Sequence, residues 1–390
     1  MERISHPLSP LLKAIVEHLD IPKSLYDKAA ARHLSLGDWL KRENSTLRRF
    51  NPDIRPQGSF RYGTVNRPLF KDDEYDLDNV CVLTTLGKGD LTQEQLKILF
   101  GEEIKAYAKA QGILAPVVEH NRCWRLQYAD EVNFHLDTLP CVPEEEAFII
   151  QLVNAGVAEE LARRAIAITD RHHANYKQLT RLWPSSNPRG FARSFELKTA
   201  LARDVMIKEG QIRATVEEVP PYEWKTPLQR CIQILKRRRD VMFRDDLDLA
   251  PISMIITNLA TRAYNGEGDI GMAMINIVER MLEFVRPIWP RVPNPADPFE
   301  DYADKWAGNP ELETSFRQWH IAVKADLGRL ATALRALNVK GAVEQAFDVT
   351  LTQQELQALG SNGGSTPSII VKSAPALAIP SAPRPWGFHV

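Results

Sequence analysis

No apolar run in the sequence approaches the roughly 18 to 20 residues that a membrane-spanning helix needs. The first twenty residues, MERISHPLSPLLKAIVEHLD, place acids among the apolar positions and do not read as a secretion signal. The four cysteines, at 81, 123, 141 and 231, include no C-x-x-C pair. That spacing fits neither a zinc site nor a disulfide framework, and predicts reduced, mostly buried thiols in a cytoplasmic protein. Charge of one sign is also missing. The 49 Lys and Arg nearly balance 50 Asp and Glu, and a net charge of -1 gives no general attraction to nucleic acid or to an anionic membrane. There is no internal repeat.

What is present is 390 residues with 44% hydrophobic content, enough for one large core or two ordinary ones. Leu11, Leu12, Ile15, Val16 and Leu19 recur at helical spacing, and a second periodic stretch runs from Leu25 to Leu40. Residues 51–63 read as a loop punctuated by Pro52, Pro56, Gly58 and Gly63. DLDNVCVLTTL reads as a buried strand, and LTQEQLKILFGEEIKAYAKAQG as an amphipathic helix. CWRLQYAD and EVNFHLDTLP then alternate as a hairpin. Trp124, Leu126, Tyr128, Val132, Phe134 and Leu136 share the apolar face; Arg125, Gln127, Asn133, His135 and Asp137 share the polar one.

From residue 146 onward the pattern is mostly helical, broken by WPSSNPRG. Thr226-Pro227 is a helix start, a capping residue followed by proline at the first helical position. It opens TPLQRCIQILKRRRDVMF, and Pro251 similarly opens PISMIITNLATRAY. RVPNPADPFEDYADKW reads as a proline-rich entry into another helical segment. The last thirty residues hold five prolines and no acid, a composition expected to be disordered or extended. A mixed sheet with flanking helices makes the class α+β.

Chemistry concentrates in QGSFRYGTVNRPLFKDDEYDLDNVCVL. A Gly58-Ser59 turn lets a phosphate approach backbone N–H groups and adds a hydroxyl donor. Asp76 and Asp78 point to one side of an extended chain, and Asp137 comes from another strand. Three carboxylates so placed suit Mg²⁺, which is held by a few carboxylates together with substrate phosphates. Alone, each short motif is weak: D-x-D is common in solvated acidic turns. Their order, with D-x-D leading straight into a buried strand, favours chemistry. Lys236, late in the helix opened by Thr226-Pro227, and Ser253, in the first turn of the next, fit a triphosphate near a helix N-terminus. They read equally well as a solvated basic face and a helix-start residue.

These residues resemble the DNA polymerase β-like nucleotidyltransferases. More narrowly they are similar to the bacterial CD-NTases, DncV-like relatives of cyclic GMP-AMP synthase and oligoadenylate synthase. The stretches that carry the likeness are QGSFRYGT, DEYDLDNVCVL, FHLDTLPCVP, SNPRGFARSF, PLQRCIQILKRRRD, PISMIITNLA and NPADPFEDYADKW, in order from about residue 55 to 306. Arg193-Ser194 stands where the family often has an aromatic.

The resemblance implies a bilobed enzyme with its active site in the cleft. N-terminal helices (1–50) pack across both lobes, followed by a catalytic core (51–145), a helical C-terminal lobe (146–360) and a tail (361–390). It implies an enzyme that joins nucleoside triphosphates, ATP or GTP among them, into a cyclic di- or trinucleotide during anti-phage (CBASS) defence. Asp76, Asp78 and Asp137 would hold two Mg²⁺, with Mn²⁺ as a substitute. Gln57, Gly58, Ser59, Phe60, Arg61 and Tyr62 would cradle donor phosphates, and Lys236 and Ser253 the triphosphate tail. Arg125 is a candidate for substrate contact and Asp304 for reading an acceptor base. His135 is expected to position rather than act as a base. The tail is a candidate for capture by a ubiquitin-transfer-like or HORMA-type protein. No basic, Cys/His-studded insertion points to a nucleic-acid activator. The rival readings are a transferase making linear products or modifying another acceptor, and a catalytically silent sensor of the same fold.

Overall fold

In the computed structural model, the structure describes residues 5–361 apart from 71–72, 130–132 and 209–223. Helix α1 (Ser9–Leu19) begins with a proline in its first turn and buries Leu11, Leu12, Ile15, Val16 and Leu19. Helix α2 (Lys23–Lys41) follows. Strand β1 (Pro52–Gln57) leads into a one-turn helix, α3 (Gly58–Tyr62), and β2 (Tyr75–Leu83) carries the D-x-D segment. Helix α4 (Gln93–Ala110) starts in a capping box between Thr92 and Gln95. Strands β3 (Val118–Glu119), β4 (Trp124–Ala129) and β5 (Asn133–Pro143) come next.

The expected loop at 51–63 is therefore a strand and a helical turn. β1 lies at the edge of the sheet, whose order is β1-β2-β5-β4-β3. An edge strand has one row of amides with no ladder partner, so Pro52 and Pro56 are tolerated there. β2 and β5 are parallel, with Asp76 opposite His135 and Asp78 opposite Asp137. β4 and β5 form the expected antiparallel hairpin. Val132 lies outside the described residues.

The sheet continues beyond residue 145. After α5 (Glu146–Asn154) and α6 (Glu159–Ala162), β6 (Ile166–Ile168) pairs with the far end of β5, and β7 (Ser185–Ser186) pairs with β6. Helices α7 (Pro188–Lys208), α8 (Pro227–Met242), α9 (Ser253–Ala263) and α10 (Ile270–Arg280) then build the second lobe. Thr226 and Gln229 cap α8 reciprocally, as the Thr-Pro start predicts. The segment NPADPFEDYADKW is not a helical entry. It forms a hairpin of β8 (Pro293–Asn294) and β9 (Asp297–Asp301), followed by a short 3₁₀ turn. Asp301 accepts from the amides of Arg291, Val292 and Ala303, which fixes the hairpin's exit. Helices α11 (Pro310–Arg335), α12 (Lys340–Phe347) and α13 (Gln353–Ser361) complete the chain.

Two large cores result. One gathers α1 with α8, α9, α10, α11 and α12. The other gathers α2, α4 and one face of β2, β4 and β5, including Leu77, Cys81, Trp124, Leu126, Phe134 and Leu136. Cys81, Cys141 and Cys231 are buried, Cys123 is half-buried, and all four are free thiols. Among the described residues no helix is long and apolar enough to cross a membrane. The tail after residue 361 lies outside the described residues.

Candidate active site

Strand alternation decides which way the acids face. Tyr75, Leu77 and Cys81 point into the core, so Asp76 and Asp78 emerge on the opposite face of β2. From the core side, His33 Nδ1 lies 2.8 Å from Asn79 Oδ1 and fixes the residue next to Asp78. Adjacent strands stand about 4.8 Å apart, and the parallel register sets Asp78 beside Asp137. Gly58 closes over them. It has φ +69, and a Cβ there would lie 2.2 Å from Asp78 Oδ2. Only glycine allows this approach of backbone to carboxylate.

A cleft of about 770 Å³ opens above this cluster, between the sheet and the helical lobe. Gln57, Gly58, Ser59, Tyr62, Asp76, Asp78, Lys236 and Ser253 line it. Gln57 and Ser253, 196 positions apart in the sequence, thus line one cleft. Lys236 reaches from α8 to donate to Thr64 O at 3.1 Å, behind the Gly58-Ser59 turn. Burial, with Arg239 beside it, pulls its ammonium down to about 8. Burial and the neighbouring charges of Asp76 and Asp137 push the Asp78 carboxyl up to about 7.

Other expected site residues lie elsewhere. Phe60 is a core residue, stacked edge-on against Tyr26 and packed on Phe134. Arg61 turns away to pair with Glu196 on α7. Asp304 is exposed in the 3₁₀ turn after β9, outside the cleft wall. Arg193 pairs with Glu160 and Glu196. Asp137 is not part of the cleft lining, and Arg125 from the facing strand position donates to both its oxygens at 2.7 Å. Arg125 is thus held by the third acid rather than turned toward the cleft. His135 is in the wall, pairs with Glu74, and has Nδ1 3.7 Å from Asp76 Oδ1. Gln127 donates to Glu74 at 2.6 Å, so the imidazole is braced from behind.

The cleft also holds residues that motif reading passed over. Arg239 follows Lys236 by three positions on α8, a spacing that shares a helix face and was visible in LKRRRD. Glu300 and Tyr302 enter from the β9 hairpin, which no local pattern announced.

The donor set suits a hard divalent cation: Asp76, Asp78 and Asp137 are close enough for the other two to raise Asp78, and all offer oxygen. Among the described residues no three ligating side chains already converge on a point. Both oxygens of Asp137 are taken by Arg125.

The chain's likeness to known proteins agrees with this geometry. Residues 52–141, the span from β1 to near the end of β5, match the family described as cyclic GMP-AMP synthase DncV-like, nucleotidyltransferase domain. A c-di-GMP synthase of Roseivirga ehrenbergii is 27% identical over 313 residues, which cover 79% of this chain and 76% of that protein. The cyclic dinucleotide synthase CdnG of Bradyrhizobium diazoefficiens is 24% identical over 80% of this chain and 73% of its own. The structure of that CD-NTase in complex with GTP superposes with a TM-score of 0.66 at 21% identity, covering 92% of this chain and 100% of the other. A complex of Escherichia coli MS115-1 CdnC with a HORMA protein aligns with a TM-score of 0.59 at 11% identity, over 90% of this chain and 98% of the other. The resemblance read from the motifs holds, and the fold is that of the DncV and CdnG nucleotidyltransferases.

Proposed function

We propose that this chain is a metal-dependent nucleotidyltransferase that joins nucleoside triphosphates into a cyclic dinucleotide and releases pyrophosphate. The observation that carries the reading is the register placing Asp78 beside Asp137 under the Gly58 backbone, opposite Lys236 and Ser253 across one cleft. The relatives' names favour GTP as one substrate: one is called a c-di-GMP synthase, and CdnG is seen with GTP.

Each residue has a separate task. The Gln57–Ser59 turn offers backbone N–H groups and a hydroxyl to the donor phosphates. Lys236 supplies positive charge from behind that turn, and Ser253 donates from the start of α9. Asp76 and Asp78 face the reacting phosphate, while Asp137 marks the side from which the acceptor ribose approaches. Mg²⁺ held by these aspartates, or Mn²⁺ in its place, would acidify the attacking hydroxyl and neutralise the departing pyrophosphate. His135, braced by Glu74, orients Asp76. Catalysis is then positioning plus charge neutralisation.

Incubating the protein with labelled pairs of NTPs and Mg²⁺, then weighing the product, tests this directly. A phosphatase-resistant cyclic dinucleotide is expected. A phosphatase-sensitive product would favour the linear or acceptor-modifying reading. Asp76→Asn and Asp78→Asn should each abolish pyrophosphate release with the fold intact, and release surviving in the double variant would overturn the metal assignment. The messenger's role in anti-phage defence is part of the same reading, drawn from the CD-NTase resemblance. So is engagement of the tail by a protein regulator, for which the CdnC complex with a HORMA protein is the parallel. Deleting the residues after 362 should abolish capture of such a partner, and unchanged capture would remove the idea.

A further inference from the structure

Arg239 is the best-anchored cation of the cleft wall, yet its own partners leave it little freedom to grip a ligand. Its guanidinium lies within the cleft lining, on the α8 face that also presents Lys236 and Asp240. Nε donates to Asp240 Oδ1 at 2.7 Å, and Nη2 makes a second contact with the same oxygen. Nη1 donates to Ser253 Oγ at 2.6 Å and to Pro251 O at 3.3 Å. All three guanidinium nitrogens are engaged, and the Asp240 carboxylate offsets the charge.

What this does to Ser253 follows from hydroxyl chemistry. A hydroxyl carries one proton and two lone pairs. Receiving a charge-assisted hydrogen bond from Arg239 occupies a lone pair and leaves the proton to be given away. Among the described residues no acceptor takes that proton. Ser253 is the first residue of α9, whose N-terminus has no side-chain cap, so the adjoining backbone amides face the same way. A ligand oxygen arriving there meets a hydroxyl whose proton is not already given to another group.

We propose that Arg239 is a positioning residue, locked by Asp240, that holds Ser253 with its hydroxyl proton directed to the terminal phosphates of the bound nucleotide. The assignment rests on the proposed nucleotidyltransferase reading and extends it to selection of triphosphate over shorter phosphate chains. Arg239 need not touch the phosphate. Its planar fork bridges Asp240 and Ser253 at once, which a lysine cannot reproduce.

The test is a double-variant cycle on Arg239→Lys and Ser253→Ala. Binding is read by calorimetry with the α,β-methylene analogues of GTP and GDP in the presence of Mg²⁺, and KM and kcat are read with GTP. Each single variant is expected to weaken triphosphate binding about tenfold, to leave the diphosphate analogue nearly unaffected, and to raise KM far more than it lowers kcat. The double variant should be no worse than Ser253→Ala alone. Asp240→Asn should fall between wild type and Arg239→Lys. Full additivity in the double variant, or normal binding by Arg239→Lys, overturns the proposal, the first pointing to direct phosphate contact or fold support and the second to charge alone. A wild-type chain that binds neither GTP nor its analogue would instead sink the nucleotidyltransferase reading, so the two failures are distinguishable.

Discussion

Asp78 is held between two other carboxylates and under a backbone that leaves it no room. Burial first, then Asp76 and Asp137, raise its carboxyl from the ordinary 3.8 to about 7. Across about pH 4 to 7 the folded chain therefore keeps a proton that the unfolded chain has released. The group's contribution is fully present below pH 4 and is lost as pH rises through 7. His33, on the other side of β2, acts in the opposite sense. Burial lowers it from 6.5 to about 4, so its contribution is present above 6.5 and is lost as pH falls through 4. Asp78→Asn removes only the first effect. The variant's stability relative to wild type, measured by denaturant unfolding without metal, should climb from pH 4 to 7 and level off above. A flat difference would mean that Asp78 is ionised throughout.

Arg125 makes the companion prediction: Arg125→Ala frees both oxygens of Asp137, so Mn²⁺ binding measured by calorimetry should tighten severalfold. Unchanged affinity would show that the guanidinium does not compete with the cation. At this scale the sequence was legible where strand parity applies, since alternation put Asp76 with Asp78, and His135 with Asp137, on one side of their own strands, and the β2–β5 register joined the two pairs. Parity gave no information on which neighbour each side chain would grip. Arg125 closing on Asp137, and Arg61 turning to Glu196, depend on strand and helix partners fixed only by the fold.

Single elements explain why the cleft keeps its shape. The turn at Gly58 is the tightest constraint, since its positive φ and the nearby Asp78 oxygen both exclude a side chain. Gly58→Ala should destabilise the fold by about 1–3 kcal/mol and abolish turnover. Thermal unfolding and pyrophosphate release would measure the two losses separately. Lys236 and Arg239 depend on α8, whose start is fixed by the Thr226–Gln229 box. Thr226→Ala should cost about 1 kcal/mol in denaturant unfolding, with nucleotide affinity little changed, because both basic residues lie two or more turns along the helix. Helix starts of this kind are chemically local and could be read from Thr-Pro directly. The β8–β9 hairpin could not. Its turns are held by Asp301 and by contacts between Glu300 and Ser186, 114 positions away, so its prolines looked like a helical entry. The edge strand β1 was hidden for a related reason: proline in a strand is acceptable only when the strand turns out to be outermost.

The two cores meet along the cleft, and the chain's first two helices divide between them. α1 lies in the helical core and α2 in the sheet core. The three residues joining them are therefore a strap across the lobes. Asp20 anchors that strap. It pairs with Lys225 and Arg230, accepts from Gln233 at 3.0 Å, and its carbonyl receives Arg67 at 2.8 Å from a loop that lines the cleft. The Lys225 side chain is only 2% exposed, so losing Asp20 would strand a buried ammonium. Asp20→Asn should cost about 2 kcal/mol, less than a fully buried pair because Asp20 itself is 29% exposed. The more telling outcome is cooperativity. If the strap couples the lobes, native-state hydrogen exchange should give similar opening free energies for β2 and α8 in the wild type and separate values in the variant. On the proposed function a nucleotide spanning the cleft would bind both lobes at once, so adding GTP with Mg²⁺ should bring the two values back together. Equal protection in β2 and α8 without nucleotide, persisting in Asp20→Asn, would place the coupling elsewhere in the interface.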